Sequence, residues 1–234
     1  NFTVNRLKAL EICEAVKGEN ISWVTSVRAD GVDNDILAAM KKSGMRRLII
    51  GFESGSEKIL RSVNKKVSVS RYNDTVKLLK RHDVLFHSNF IIGMPEEDEQ
   101  TIKETEVFCI NNNLIFGPSY ATPFPGTKLY EEMRDRVGDE KKYIYSLAKM
   151  NFSKRAIINL TKMSMRKLVY LRNRTVVNST VNLIWLKVRF VPVFIIKPAC
   201  WCYILIFNTK NALIAKMIHS ITQRIYKFLA KSHG

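Results

Sequence analysis

The sequence predicts an α/β fold: a parallel sheet of about four strands interleaved with helices, then a basic α-helical C-terminal region. Three observations predict it. Helical and strand-like patterns alternate from residue 1 to residue 136. Each strand-like stretch ends in a polar or turn-forming cluster, at spacings of βα size. All 21 acidic residues lie before residue 141, so the chain changes character there.

Residues 5–17 (NRLKALEICEAVK) set Leu7, Leu10, Ile12, Ala15 and Val16 in an approximate apolar stripe, and Gly18 ends the helix they predict. Residues 21–27 (ISWVTSV) are β-branched and aromatic, as in a strand, and Arg28, Ala29 and Asp30 follow at its C-terminal end. Asp33 caps the next helix, which closes at Gly44. Residues 46–52 are the second strand. Residues 56–62 are a short helix, and residues 70–82 a longer one with Val76, Leu78 and Leu79 on its apolar side. Residues 84–92 (VLFHSNFII) form a third strand, ended by Gly93-Met94-Pro95. A helix covers residues 98–111. A fourth strand covers residues 115–121 and ends in Thr122-Pro123-Phe124-Pro125-Gly126, after which Thr127 caps another helix.

The second strand organises the rest. Leu48, Ile49 and Ile50 are continuously apolar, the pattern of a strand buried on both faces. Gly51 permits close approach of a partner, and Glu53 and Ser54 then stand at the strand's C-terminal mouth. Glu53 also fits a loop carboxylate capping the next helix. Connected strands are parallel, so the mouths near residues 28, 53, 93 and 122 open on one rim. That rim collects Arg28, Asp30, Glu53, Ser54, Glu96 and Thr122, a convergence that marks a candidate site.

The net charge of +17 comes almost wholly from the tail: residues 151–234 carry 15 Lys and Arg and no acid. The division falls near Met150, between residues 1–150 and 151–234. Residues 164–174 are basic and helical. Residues 175–186 and 198–209 are uncharged runs of 12, short of the roughly 18 apolar residues a spanning helix needs, so no transmembrane segment is expected. Residues 211–229 suit a basic amphipathic helix, docked on its own domain or, less favoured, lying on an anionic membrane surface. Interleaved aromatics leave nucleic acid as a third partner. Cys13 and Cys109 are expected to be core thiols. Cys200 and Cys202 are expected to be buried apolar thiols rather than metal ligands. No disulfide framework shows, which points to a reducing cytoplasm.

The stretches NFTVNR at the start, SVRAD at 26–30, GFESGS at 51–56, FIIGMPEE at 90–97 and PFPGT at 123–127 occur in one order, each at a strand mouth or helix start. In these, residues 1–136 resemble the later part of a radical S-adenosylmethionine (SAM) domain. The branch is the one that often carries a cobalamin-binding domain and is related to the methylthiotransferases. The resemblance implies a partial, incomplete (β/α)6 TIM-like barrel. It also implies a [4Fe-4S] cluster on a C-x-x-x-C-x-x-C loop, and reductive cleavage of SAM to start oxidoreductase or methyltransferase chemistry. Glu53 and Ser54 then match the position that binds the SAM ribose or amino-acid part, and Arg28 a strand end facing the SAM carboxylate. Asn89, Ile91, Gly93 and Glu96 fit the G-x-I-x-G-x-x-E pattern beside the adenine, with Asn89 in place of the first Gly; Glu96 is the helix-start carboxylate. Thr122, Pro123 and Pro125 face the substrate side.

The cysteine motif itself is missing, and the four cysteines cannot supply it. The chain is therefore expected to be a piece of such an enzyme, inactive alone and preceded by further strands, with cobalamin on an upstream domain as a candidate further cofactor. Residues 21–27 should then form an exposed apolar edge. The substrate is open: a small molecule, a lipid or an RNA. Two other functions compete. One is a different barrel enzyme using Glu53 and Arg28, disfavoured because His82 and His87 sit toward the wrong rim. The other is a basic peripheral membrane or nucleic-acid-binding module on a (β/α) scaffold.

Overall fold

The computed structural model describes residues 1–149, 151, 156–187 and 192–207. Four parallel strands stand in the order β1 (Trp23–Arg28), β2 (Met45–Glu53), β3 (Phe86–Ile92) and β4 (Pro118–Tyr120). Helix α1 (Arg6–Ala15) precedes β1, and α2 (Asn34–Lys42) links β1 to β2. Helices α3 (Glu57–Ser62) and α4 (Val69–Arg81) link β2 to β3, and α5 (Glu99–Asn111) links β3 to β4. Short helices α6 (Lys128–Glu132), α7 (Arg134–Val137) and α8 (Glu140–Ala148) follow, then α9 (Met165–Lys187) and α10 (Val193–Phe207). The alternation and the parallel four-stranded sheet are those expected from the sequence. Side-chain oxygens of Asp33, Ser68, Asp98 and Thr127 accept the backbone N–H groups that open α2, α4, α5 and α6.

The pleat divides the sheet into two unlike faces. Leu48, Ile50 and Phe52 of β2 and Phe90 and Ile92 of β3 are buried against the helices. Phe52 is the hub. Its ring lies 5.0 Å from Tyr72 of α4, 5.5 Å from Phe108 of α5 and 5.9 Å from Phe90. Burial of such a ring is worth about 1.5–3 kcal/mol. The alternate residues, among them Val24, Ser26, Arg28, Ile49, Gly51, Glu53, His87 and Asn89, lie on the other face, which is solvent-accessible or only half covered. So β2 is not buried on both faces along 48–50: Ile49 is only half-buried. Among the described residues β1 pairs with β2 alone, and Ile21 and Val24 are exposed, as an uncovered edge requires.

Three elements depart from their expected form. In α1 the expected stripe faces water at Leu7 and Ile12, and the helix buries Ala9 and Cys13 instead. These are four apart, and small enough for close packing on α2. The fourth strand shrinks from seven residues to three. Asn113 takes a left-handed φ of 53°, and Phe116 N donates to Ser179 Oγ of α9 (3.0 Å) rather than to a neighbouring strand. In the tail, Cys200 is half-buried and Cys202 exposed, so the pair is not a buried one.

Across the compositional division near Met150, α9 packs on the elements that precede it. Leu168 and Leu171 of α9 belong to the main core. The Glu106 carboxylate of α5, buried beneath α9, accepts Lys103 Nζ, Asn178 Nδ2 (3.1 Å) and Thr175 Oγ1 (3.3 Å). Glu99 pairs with Lys167 (2.6 Å) and Arg174 (3.3 Å). Helix α10 packs on α9 through Ile196, Val177 and Val181, with Tyr170 and Trp201 stacked at 6.2 Å. Among the described residues no helix is long and apolar enough to cross a membrane. The helix expected over 211–229 lies outside the described residues.

Candidate functional site

Strand register builds the site. Arg28 of β1 pairs with Gly51 of β2, and Gly51 with Asn89 of β3, so the three form one row across the open face. Ser26, Ile49 and His87 form the adjacent row. His87 thus shares this face with Asn89. His82 caps the far end of α4, its Nε2 2.8 Å from Asn34 Oδ1.

Beyond Gly51 the register slips. Glu53, not Phe52, pairs with Phe90, which leaves one extra residue on β2: a bulge. Glu53 takes a φ of 62°, a backbone conformation uncommon for a residue with a long side chain. Phe52 thereby keeps its place in the core while the Glu53 carboxylate folds back over the next pleat. A Cβ built on Gly51 would stand 2.7 Å from Glu53 Oε1. Glycine leaves the carboxylate the space that a side chain would take.

Lys65 holds that carboxylate in place. It follows α3 and the left-handed Asn64 (φ 53°), and its Nζ donates to Glu53 Oε1 (2.7 Å) and to the Gly51 carbonyl (3.1 Å). Both side chains of this ion pair are mostly buried. Arg28 makes the second pair. Its Nε and Nη2 donate to Asp30 Oδ1 (2.9 Å) and Oδ2 (3.0 Å), a two-point contact that holds the Asp30 carboxyl below its ordinary range. Beneath both pairs lies Tyr72, fully buried, whose hydroxyl finds no hydrogen-bond partner among the described residues. Burial first, and the Glu53 charge second, push its pKa well above the usual phenol value.

The third mouth holds a buried acid. Glu97 Oε2 accepts Gly93 N (2.5 Å) and Met94 N (3.2 Å), with Gly93 at φ 90°. Burial raises its pKa to about 7 against the opposing effect of the two N–H groups. Glu96, the acid that the sequence pattern singles out, is exposed.

The other expected residues are distributed as follows. Ser54 is 1% exposed and points away from the open face: its Oγ lies 3.0 Å from Thr105 Oγ1 and accepts Ser56 N (3.2 Å), while Gly55 N donates to the same Thr105 oxygen. It holds the turn. Ile91 packs half-buried beside Ile59, Met94 and Ala121. Thr122 Oγ1 donates to Tyr120 O (3.0 Å), the Pro123 carbonyl accepts Tyr143 Oη (2.7 Å), and Pro125 is exposed. Register brings Arg28, Gly51, Glu53 and Asn89 together and leaves Ser54 and Pro125 apart. Sequence reasoning missed Lys65, Tyr72 and Glu97. Glu97 was one residue from legible; nothing marks Lys65 among the chain's many lysines. A cleft of about 520 Å³ lies at the opposite rim, between Val16, Asn20, Lys42 and Arg46, far from this row.

A parallel sheet backed by helices, with charged pairs at the strand mouths of its open face, defines an α/β protein of partial-barrel type, a class whose ligand sites lie at the C-terminal rim. Residues 3–109 match the family described as the Radical SAM superfamily. An uncharacterized methyltransferase of Pyrococcus horikoshii is 32% identical over 133 residues, 56% of this chain and 29% of that protein. The anaerobic magnesium-protoporphyrin IX monomethyl ester cyclase of Cereibacter sphaeroides is 28% identical over 157 residues, 64% of this chain and 25% of that protein. The radical SAM methyltransferase TsrM of Kitasatospora setae, solved with cobalamin and a [4Fe-4S] cluster, superposes with a TM-score of 0.52 at 13% identity. It covers 59% of this chain and 30% of that one, a likeness of fold. The chain spans between a quarter and a third of the length of these curated relatives.

The residues present do not fit an iron–sulfur cluster. Among the described residues no group of three His, Cys, Asp or Glu could hold a metal. Cys13 and Cys109 are buried core thiols, and burial pushes the Cys109 thiol far from ionisation. The open face carries three groups with ligand-binding chemistry. It offers a glycine platform, a fixed carboxylate for hydroxyl or ammonium groups, and a guanidinium for a carboxylate.

Proposed function

We propose that this chain supplies the SAM-binding part of a radical SAM enzyme, with cluster thiolates that these 234 residues do not provide. The observation that carries it is the row Arg28–Gly51–Asn89 with Glu53 folded over Gly51, inside the segment that matches the family. In this reading SAM supplies the sulfonium bond whose cleavage starts the chemistry. Glu53 accepts hydrogen bonds from ribose hydroxyls or the ammonium group, and Lys65 holds it in place. Arg28 exchanges Asp30 for the SAM carboxylate. Asn89 and Ile91 flank the adenine, and the loop that Glu97 braces at Gly93 closes the third mouth. Oxidoreductase and methyltransferase outcomes both follow from such a start. The substrate, a small molecule, a lipid or an RNA, enters past Thr122, Pro123 and Pro125. An upstream cobalamin domain would favour methyl transfer, and a reducing cytoplasm would suit the free thiols.

The test is a titration of the chain with S-adenosylhomocysteine, followed by calorimetry and by backbone amide shifts. Saturable binding that perturbs Gly51, Glu53 and Asn89, weakened about tenfold or more in Glu53→Gln, supports the reading. Absence of binding at millimolar ligand, or binding indifferent to Glu53→Gln, overturns it. Anaerobic treatment with iron and sulfide should leave the chain without a bound cluster.

A further inference from the structure

We infer that the α9–α10 hairpin is a docking surface for an anionic lipid bilayer. Two independent features support it. The first is an uncovered apolar helix face. Phe194, Pro198 and Cys202 of α10, four residues apart, all face solvent, and Phe194 is 75% exposed. Ile196 of the same helix is buried against Val177 and Val181 of α9, so the exposed row lies on the side away from the protein. Beyond Lys197, no residue of α10 carries a charge. Soluble surfaces scatter single exposed apolar side chains; a helix this apolar with an open face marks an interaction site.

The second feature is charge. No Asp or Glu follows Glu140, while 15 Lys and Arg follow Met150. Lys167 and Arg174 are turned inward onto Glu99 and Glu106, so they bind the hairpin to the domain. Lys197 instead lines a groove of about 250 Å³ with Trp185, Val193, Asn178 and Asn182, and no acid lines it. Trp185 is 40% exposed. An indole, an ammonium and two amides beside an apolar face match the boundary between headgroups and acyl chains. A protein partner would need only the apolar face. The acid-free flank selects a surface of negative charge, and the membrane supplies both charge and apolar depth. The helix is too short to span, so the contact is peripheral.

The experiment is co-sedimentation of the full chain with vesicles of phosphatidylglycerol and phosphatidylcholine, against phosphatidylcholine alone. A fluorophore on the exposed Cys202, in a Cys200→Ala background, reports the polarity around α10. The anionic vesicles should bind the chain and blue-shift the fluorophore; neutral vesicles should not. Phe194→Asp should weaken binding about tenfold or more, and Lys197→Ala about fivefold. At about 1 M salt, where screening acts within about 3 Å, binding should weaken further. Leu85→Asp, at an exposed apolar site that precedes β3, should change nothing. Equal binding to neutral vesicles, no binding, or binding unchanged in Phe194→Asp overturns the inference. So does a dimer of the free chain that Phe194→Asp dissociates, since a second copy would then own this face.

Discussion

Gly51 and Glu53 share one volume: the carboxylate oxygen of Glu53 stands 2.7 Å from where a Cβ on Gly51 would lie. Two residues apart on one strand, they normally project to the same face without touching. The bulge at Phe52 and the left-handed Glu53 bring them together. The site is therefore a property of backbone geometry as much as of side-chain identity.

Gly51→Ala separates binding from stability. The clashing atom is the end of a flexible side chain, so Glu53 can swing away and folding should change by less than about 1 kcal/mol. Affinity for S-adenosylhomocysteine should fall about tenfold or more, because the carboxylate is no longer held over the row. Thermal unfolding and calorimetry on the same sample check both halves.

Lys65→Met should cost more. It leaves the mostly buried Glu53 carboxylate unpaired and removes a donor to the Gly51 carbonyl. Loss of about 1–3 kcal/mol in urea denaturation is the expected result.

Ser54→Ala tests whether Ser54 is structural. Its hydroxyl joins the turn to Thr105 on α5. The variant should lose about 1–2 kcal/mol of stability and keep its ligand affinity. A selective loss of affinity would instead make Ser54 a ligand contact.

Glu97 predicts the pH dependence. Its folded pKa, about 7, lies above the ordinary carboxylate value of 4.5. Between those two values the folded state holds a proton that the unfolded state has lost. Stability from this group is therefore fully present below about pH 4.5, falls as the pH rises, and is gone above about pH 7. Glu97→Gln keeps an acceptor for Gly93 and Met94. It should abolish this slope and gain roughly 3 kcal/mol at pH 8, with no gain at pH 4. Denaturant midpoints across that range decide it.

Periodicity and punctuation in the chain determined the alternation of helices and strands, the parallel sheet and its rim, because those follow from local propensity and the handedness of crossovers. The short motifs at the strand mouths pointed to the family that residues 3–109 match. The faces were decided only in three dimensions. Ser54 and Glu53 are neighbours in sequence, yet a bulge sends one into the turn beneath α5 and the other over Gly51. Glu96 and Glu97 are interchangeable on paper, and only packing buries the second. Lys65 reaches Glu53 across twelve residues because α3 folds the chain back, a closure that no local pattern encodes. The tail likewise looked separate by charge, and Glu99 and Glu106 draw α9 into the domain. Buried carboxylates recruit cations wherever the fold brings them within reach, and reach is a property of tertiary structure.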